Sequence, residues 1–374
     1  MLSVSSDGDA DDHFVWGSVT KVVTGTAVLR LADAGKLSLE DAIPPLIDPF
    51  IAKMKVSNPA QNFTSLADLF GPDVAKVTVR DLLGMKSGIP DYDTASPSGQ
   101  TPTDSFRADA YAHPNRSYSP TELLQEPWCA TGHLLFPPGV CNTKKYYNCY
   151  SSTNYVLLGL LLAQAAGSEG WQSYQQKGAF GPLVKAFENV QFAVTGAPSA
   201  FTDMRGYDTT HYNNNTGAID VADVAGVYGG WTASDFTANV LDAATLVNDV
   251  YGPGYKLVSK RYVDQMYATS NLTGYGLSTF NLSHLTGLHG EYGVAYGHLG
   301  ATYGYQSVVV HTPGLNLSLA VGTNIERDYQ DQPQDVFCQV YNTAKAIILG
   351  ESVPDCTFVS GYYDGCVLRH GGTA

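Results

Sequence analysis

Phe14-Val-Trp-Gly-Ser-Val-Thr-Lys-Val-Val-Thr-Gly-Thr-Ala-Val-Leu-Arg-Leu-Ala-Asp-Ala-Gly-Lys36 is the stretch around which this chain is organised. A short apolar lead-in runs into a serine and then into a helix. Val19, Val22, Val23, Ala27, Val28 and Leu31 recur at helical spacing, and Gly35 supplies the stop. Ser18 and Lys21 stand one turn apart, so both side chains leave the same helix face. A serine hydroxyl is a poor nucleophile at neutral pH, and a desolvated lysine beside it can take its proton. A serine at a helix start also brings its own N–H to a developing oxyanion. An isolated Ser-x-x-Lys is more often a plain helix cap with a solvated lysine, so the pair gains meaning only in company with other motifs.

The chain has 374 residues with 44% hydrophobic content, enough for a large core. Its net charge of −14 repels phosphate backbones and anionic membrane surfaces, so no nucleic-acid or membrane partner is expected. The longest apolar run, Val156 to Ala163, is too short for a membrane span. The six cysteines form no C-x-x-C pair, which argues against metal and dithiol-redox sites. Their spacing suits disulfides: Cys141 with Cys149 and Cys356 with Cys366 are plausible local loops. That leaves Cys129 for Cys338, although spacing alone does not determine the connectivity. Asn62, Asn115, Asn214, Asn271, Asn281 and Asn316 each begin an Asn-x-Ser/Thr site. With the cysteines, these sites suggest a secreted glycoprotein, although Met-Leu-Ser-Val-Ser-Ser-Asp7 is no signal peptide.

Taken in order, residues 1–13 read as a disordered polar lead. Val77 to Tyr92 looks like a short helix ended by the Ser87-Gly88 turn, and Asp93 to Pro120 reads as a long loop. Tyr150 to Gly167 starts with cap-type residues and continues as an apolar helix. Residues 200–218 read as another loop. A helix is expected from about Asp235 to Val250, and another from Leu257 to Met266. Beyond Tyr275 the segments Tyr275–Ser278, Val294–Gly297, Tyr305–His311 and Leu317–Thr323 are short, β-prone and turn-separated, as in an antiparallel meander. Gln334 to Leu349 reads as the last helix, with a disulfide-pinned tail, 351–374, after it.

Several of these segments match one pattern in order. Gly17-Ser-Val-Thr-Lys21 with Gly35-Lys-Leu-Ser-Leu-Glu-Asp41 resembles the active-site helix of penicillin-recognising serine hydrolases and the turn after it. That group holds class C β-lactamases, D-Ala-D-Ala carboxypeptidases and related esterases. Val77-Thr-Val-Arg-Asp-Leu-Leu83 through Ser87-Gly-Ile-Pro-Asp-Tyr92 resembles its second signature, with Met85 and Lys86 where His and Thr are usual. Tyr150-Ser-Ser-Thr-Asn-Tyr-Val-Leu-Leu-Gly159 is similar to the Tyr-x-Asn motif, and Gly230 to Asp235 to the Gly-Gly-x-x-Ser/Thr turn. Gly297-His-Leu-Gly-Ala-Thr-Tyr-Gly-Tyr305 resembles the Lys-Thr-Gly box in its His-x-Gly form.

The resemblance implies an α+β, β-lactamase/transpeptidase-like fold in which an antiparallel sheet is flanked by helices. An α/β part (about 14–36 and 227–350) would receive a mostly helical, loop-rich insert (about 37–226). It implies Ser18 as acylated nucleophile, Lys21 as its activator and Tyr150 as a partner in proton transfer. Ser152 occupies the Asn position and offers one donor where an amide offers two and an acceptor. His298 replaces the usual lysine, as a weaker and conditional cation for a substrate carboxylate. Gly300 would let its strand pass close to the substrate, and the Ala301 N–H would join that of Ser18 as oxyanion donors. Each has a plainer alternative: a packed aromatic for Tyr150, a helix cap for Ser152, a core histidine for His298.

The expected activity is ester or amide hydrolysis through an acyl-serine, on a small molecule or peptide, by a monomer needing no metal or organic cofactor. Ser152 and His298 lean the reading toward an esterase or peptidase and away from efficient β-lactam turnover. The rival is a catalytically inactive secreted binding glycoprotein on the same scaffold. Family members usually carry a helix and two strands before the serine, whereas 17 residues precede Ser18 here. That difference leads us to expect a truncated chain, or a small sheet with an unpaired edge beside the His298 strand.

Overall fold

A computed structural model describes residues 9, 11–93, 105–141, 149–187, 189–202, 204–210, 217–269, 274–328, 331–356, 362–364 and 367–369. The lead-in Phe14–Val15 is strand β1, a single 3-10 turn comes next at Gly17–Val19, and helix α1 runs Thr20–Asp33. Helices α2 (Pro44–Ser57), α3 (Leu66–Phe70), α4 (Val79–Leu83), α5 (Ser105–Ala112), α6 (Pro120–Leu124) and α7 (Thr153–Ala165) come after it. Short strands β2 (Gln191–Phe192), β3 (Tyr207–Asp208), β4 (Ile219–Asp220) and β5 (Phe236–Ala238) precede α8 (Val240–Tyr251) and α9 (Lys260–Tyr267). Then come β6 (Phe280–Asn281), β7 (Tyr296–Thr302), β8 (Tyr305–Thr312), β9 (Leu317–Thr323), β10 (Ile325–Glu326) and α10 (Asp331–Leu349). A small hairpin, β11 (Tyr362–Asp364) with β12 (Val367–Arg369), ends the described chain.

The meander expected after Tyr275 is an antiparallel sheet ordered β6-β7-β8-β9, and the architecture is the α+β, β-lactamase/transpeptidase-like fold. Strand β8 is buried at every residue and β9 is half-buried along its length, with α8 and α10 packed on both. Among the described residues one outer strand of the sheet is β9 and the other is the two-residue β6. Strand β6 pairs with β7 only at Tyr296 and Gly297, so from His298 to Thr302 the described ladder is made with β8 alone.

Helix α1 is buried on nearly all sides, as befits a helix enclosed by other elements rather than one with a wet face. It crosses α7, and at Gly25 a β-carbon would stand 1.8 Å from Ser278 Oγ. The lead-in is fastened first to β5, with Phe14 opposite Ala238, and Trp16 Nε1 donates to the Ala238 carbonyl at 2.8 Å. It then lies across the main sheet: Ser307 Oγ donates to Trp16 O at 2.9 Å. These two fastenings hold the turn that carries Ser18 against β7.

Several sequence readings are corrected here. Helix α8 starts later than expected because Phe236–Ala238 are drawn into a strand between β1 and β2. Cys141 pairs with Cys149, but Cys356 pairs with Cys338 on α10 and Cys129 is a buried free thiol. Cys366, the partner expected for Cys356, lies outside the described residues, as do Asn214, Asn271 and most of the polar lead. Asn62, Asn115 and Asn316 are exposed, whereas Asn281 is half-buried. Among the described residues no helix is long and apolar enough to cross a membrane.

Candidate active site

Gly17 adopts φ +53°, which lets the chain turn sharply from β1 into α1. Thr20 Oγ1 donates to Gly17 O at 2.6 Å and accepts from Phe236 N at 3.0 Å, locking that turn to β5. Ser18 is thereby left half-buried while its neighbours are covered. Lys21 is fully buried; its Nζ donates to Ser18 Oγ at 2.7 Å and to the Ala233 carbonyl at 3.1 Å. Burial draws its ammonium down to about 8, against the opposing pull of the Asp91 and Asp93 carboxylates.

Tyr150 stands beside this pair, with Lys21 Nζ 5.2 Å from its ring centroid. Its ring is boxed by three others: Tyr275 edge-on at 6.2 Å, Phe280 stacked at 6.1 Å, and His298 at 6.4 Å. Ser18, Lys21, Tyr150 and His298, four residues drawn from three distant segments, thus converge on one place.

His298 is fully buried, and both ring nitrogens face protein groups. Nδ1 lies 2.6 Å from the Leu299 carbonyl, which can only accept, so Nδ1 carries the hydrogen. Nε2 then accepts from the Tyr275 hydroxyl at 3.0 Å. Burial, with the Lys21 charge as a second cause, pushes the imidazole down to about 3, so the ring is neutral. The conditional cation expected at this position does not fit that environment.

Gly300 lies against the lead-in. A β-carbon there would stand 2.1 Å from Ser307 Oγ and 2.2 Å from Trp16 O, so the close approach is to the lead-in backbone. Ala301 sits under the serine turn: a β-carbon at Gly17 would stand 3.2 Å from Ala301 N. Ser152 is buried at the N-cap of α7 without a side-chain cap bond, and its N–H donates to Asp91 Oδ1 at 3.0 Å. The departures at Met85 and Lys86 are absorbed structurally in part. Met85 is buried with its sulfur near Ser151 N at 3.5 Å and Asn154 Nδ2 at 3.4 Å.

Sequence reasoning missed Asp91, Asp93, Tyr275 and Phe280. Asp91 lies inside the second signature and was readable there. Asp93 falls at the start of an aperiodic stretch, and the two aromatics carry no motif. What gathers them is tertiary: Tyr92 N donates to Thr153 Oγ1 at 2.9 Å, pinning residues 91–93 to the start of α7.

A serine turn clamped between β5 and β7, with a buried lysine behind it, is the arrangement of the β-lactamase/transpeptidase-like fold. The Beta-lactamase family model matches residues 7–336, and the chain belongs to that family. A D-stereospecific amidohydrolase from Streptomyces sp. is similar with a TM-score of 0.64 at 20% identity, covering 93% of this chain and 90% of that one. The D-amino acid amidase from Ochrobactrum anthropi SV3, solved with L-phenylalanine amide, reaches 0.62 at 18% identity, covering 92% and 86%. The octameric penicillin-binding protein homologue from Pyrococcus abyssi reaches 0.63 at 20% identity, covering 93% and 68%. At such identities these three likenesses speak to the fold.

Proposed function

We propose that this protein is a serine hydrolase that cleaves an ester or amide through an acyl-Ser18 intermediate. The observation that carries the reading is the 2.7 Å contact between Ser18 Oγ and the fully buried Lys21 Nζ. A solvated lysine would stay protonated at neutral pH, whereas one held near 8 is in part a free amine and can act as base.

In acylation Ser18 Oγ bonds to the acyl carbon as its proton passes to Lys21 Nζ. The bond to the leaving alcohol or amine then breaks, and that group takes the proton from Lys21, directly or relayed through the Tyr150 phenol, which regenerates the free amine. The Ser18 and Ala301 N–H groups would hold the oxyanion. Water, deprotonated by the same base, then releases the acid and restores Ser18. Ser152, at the mouth of α7, is the candidate for orienting the acyl group. The two disulfides and the exposed Asn-x-Ser/Thr sites support an exported protein.

Labelling with a fluorophosphonate probe tests this. The wild-type chain should label at one site, and Ser18→Ala should abolish the label while keeping its melting temperature. A well-folded wild type that takes up no label would instead favour the inactive binding scaffold.

A further inference from the structure

A cavity of about 640 Å³ opens between the end of α2, helix α6 and residues 170–172. None of the candidate catalytic residues lines it, and its size lies in the range of small-ligand pockets, about 300–1,000 Å³. Its wall is polar. Among the residues that line it the one cation is Arg116, which is taken up by Asp109 at 3.0 Å and Glu122 at 3.1 Å. Three other lining groups have hydrogen-bonding capacity to spare among the described residues. The Glu126 carboxyl accepts no hydrogen bond, the Gln172 amide makes none, and Trp171, only 8% exposed, donates its indole N–H to no described group. Burial raises the Glu126 carboxyl above its ordinary range.

This chemistry selects a ligand class. An anion would meet Glu122 and Glu126 with no spare cation, and a wholly apolar molecule would bury unpaired amides at a cost. A divalent cation needs six or so oxygen ligands, and Glu122 is already engaged by Arg116 and Ser119. A neutral molecule rich in hydroxyl and amide groups, with apolar faces for Trp171 and Met54, fits: a carbohydrate.

The chain holds an attachment point for one at the same place. Asn62, which begins Asn62-Phe-Thr64, lines the cavity and is exposed, so a sugar on its side-chain nitrogen starts at the cavity wall. The backbone there is fixed. Asn62 N donates to Gln125 Oε1 at 3.2 Å, Phe63 is buried in the core, and Thr64 Oγ1 donates to Asp68 Oδ2 at 3.0 Å.

Resting on the reading of an exported chain, and independent of the acyl-serine chemistry, we infer that Asn62 bears an N-linked glycan whose inner sugars lie in this cavity. Their hydroxyl and acetamide groups meet Glu126, Gln172 and the Trp171 N–H. The glycan comes from a lipid-linked oligosaccharide diphosphate in the secretory pathway. The Asn62 amide nitrogen bonds to the anomeric carbon as it gives up a proton, and the bond from that carbon to the diphosphate oxygen breaks, releasing the lipid diphosphate. The attached sugar then bridges α2 and α6.

The full chain, secreted by a eukaryotic host behind a cleavable leader, tests this. Glycopeptide mass spectrometry reads the occupancy of each sequon, and peptide-N-glycosidase acting on folded protein reads how fast each sugar is released. Asn62 should be occupied. Its sugar should be released about tenfold more slowly than in the double variant Glu126→Ala/Gln172→Ala, which removes two of its wall contacts. Trp171→Phe keeps a ring without the N–H and should fall between. Melting temperatures, and the release rate of any sugar at Asn316 on the β8–β9 turn, should match across the variants. A bare Asn62 beside sugar at another sequon would overturn the inference and leave the exported reading standing. So would one release rate at Asn62 in all variants, or a quickening shared equally by Asn316. Sugar at no sequon would overturn both.

Discussion

The Tyr275 hydroxyl donates to Nε2 of His298 across 3.0 Å and so occupies the ring nitrogen that Leu299 leaves open. This contact makes His298 a fixed neutral ring in the wall of the site, and it has a measurable consequence in acid. Below the ordinary histidine value of 6.5 the unfolded chain binds a proton that the folded chain refuses until about 3. Stability from this group is therefore present above 6.5 and lost as pH falls toward 3, by roughly a few kcal/mol. Urea unfolding across that range should show a steeper loss for wild type than for His298→Gln. Matching slopes would mean that the ring is already charged.

Lys21 governs the rate in the opposite direction on the pH scale. Its free amine is the base, so phosphonate labelling should rise with pH and level off above about 8. Lys21→Arg keeps a charge at every accessible pH, so its labelling should be about 100-fold or more slower. The variant should also lose the inflection. A wild-type profile with no inflection near 8 would remove Lys21 from that role.

Gly300 tests how the serine turn is seated. Gly300→Ala would drive a methyl to within 2.2 Å of Trp16 O and 2.1 Å of Ser307 Oγ. Either β7 or the lead-in must move, costing about 1–3 kcal/mol and displacing Ser18 with it. Thermal melts should show the destabilisation, and labelling at a temperature where the variant is folded should still be slow. Normal melting and labelling together would show that the lead-in is not clamped.

Arg107 joins α5 to β3 and β10 through a buried ion cluster. Its Nη1 also donates to Thr210 Oγ1 at 3.1 Å, and the Tyr111 hydroxyl donates to Asp208. Arg107→Met would leave Asp208 and Glu326 buried without their cation, at a cost of about 3–5 kcal/mol. Chemical denaturation should recover much of that loss when Glu326→Gln is added, because the second change removes one orphaned charge. Additive losses would contradict the cluster.

What could be read along the chain was local. The buried helix after Ser18 comes from apolar spacing and a glycine stop. The antiparallel meander comes from β-prone runs between turns, and the Cys141–Cys149 loop from eight residues of separation. The candidate nucleophile and its lysine were legible for the same reason, since one helical turn places them side by side wherever the helix lies. Tertiary structure decided the rest. Cys338 on α10 chose Cys356 because the segment after the helix returns beside Asn342, Phe236–Ala238 became a strand because β1 arrives beside it, and Asp93 came to pair with Tyr303, 210 residues away. The charge of His298 belongs with these. Protonation depends on how much water is removed and which groups replace it, and Tyr275, Phe280 and Lys21 reach the imidazole only through folding.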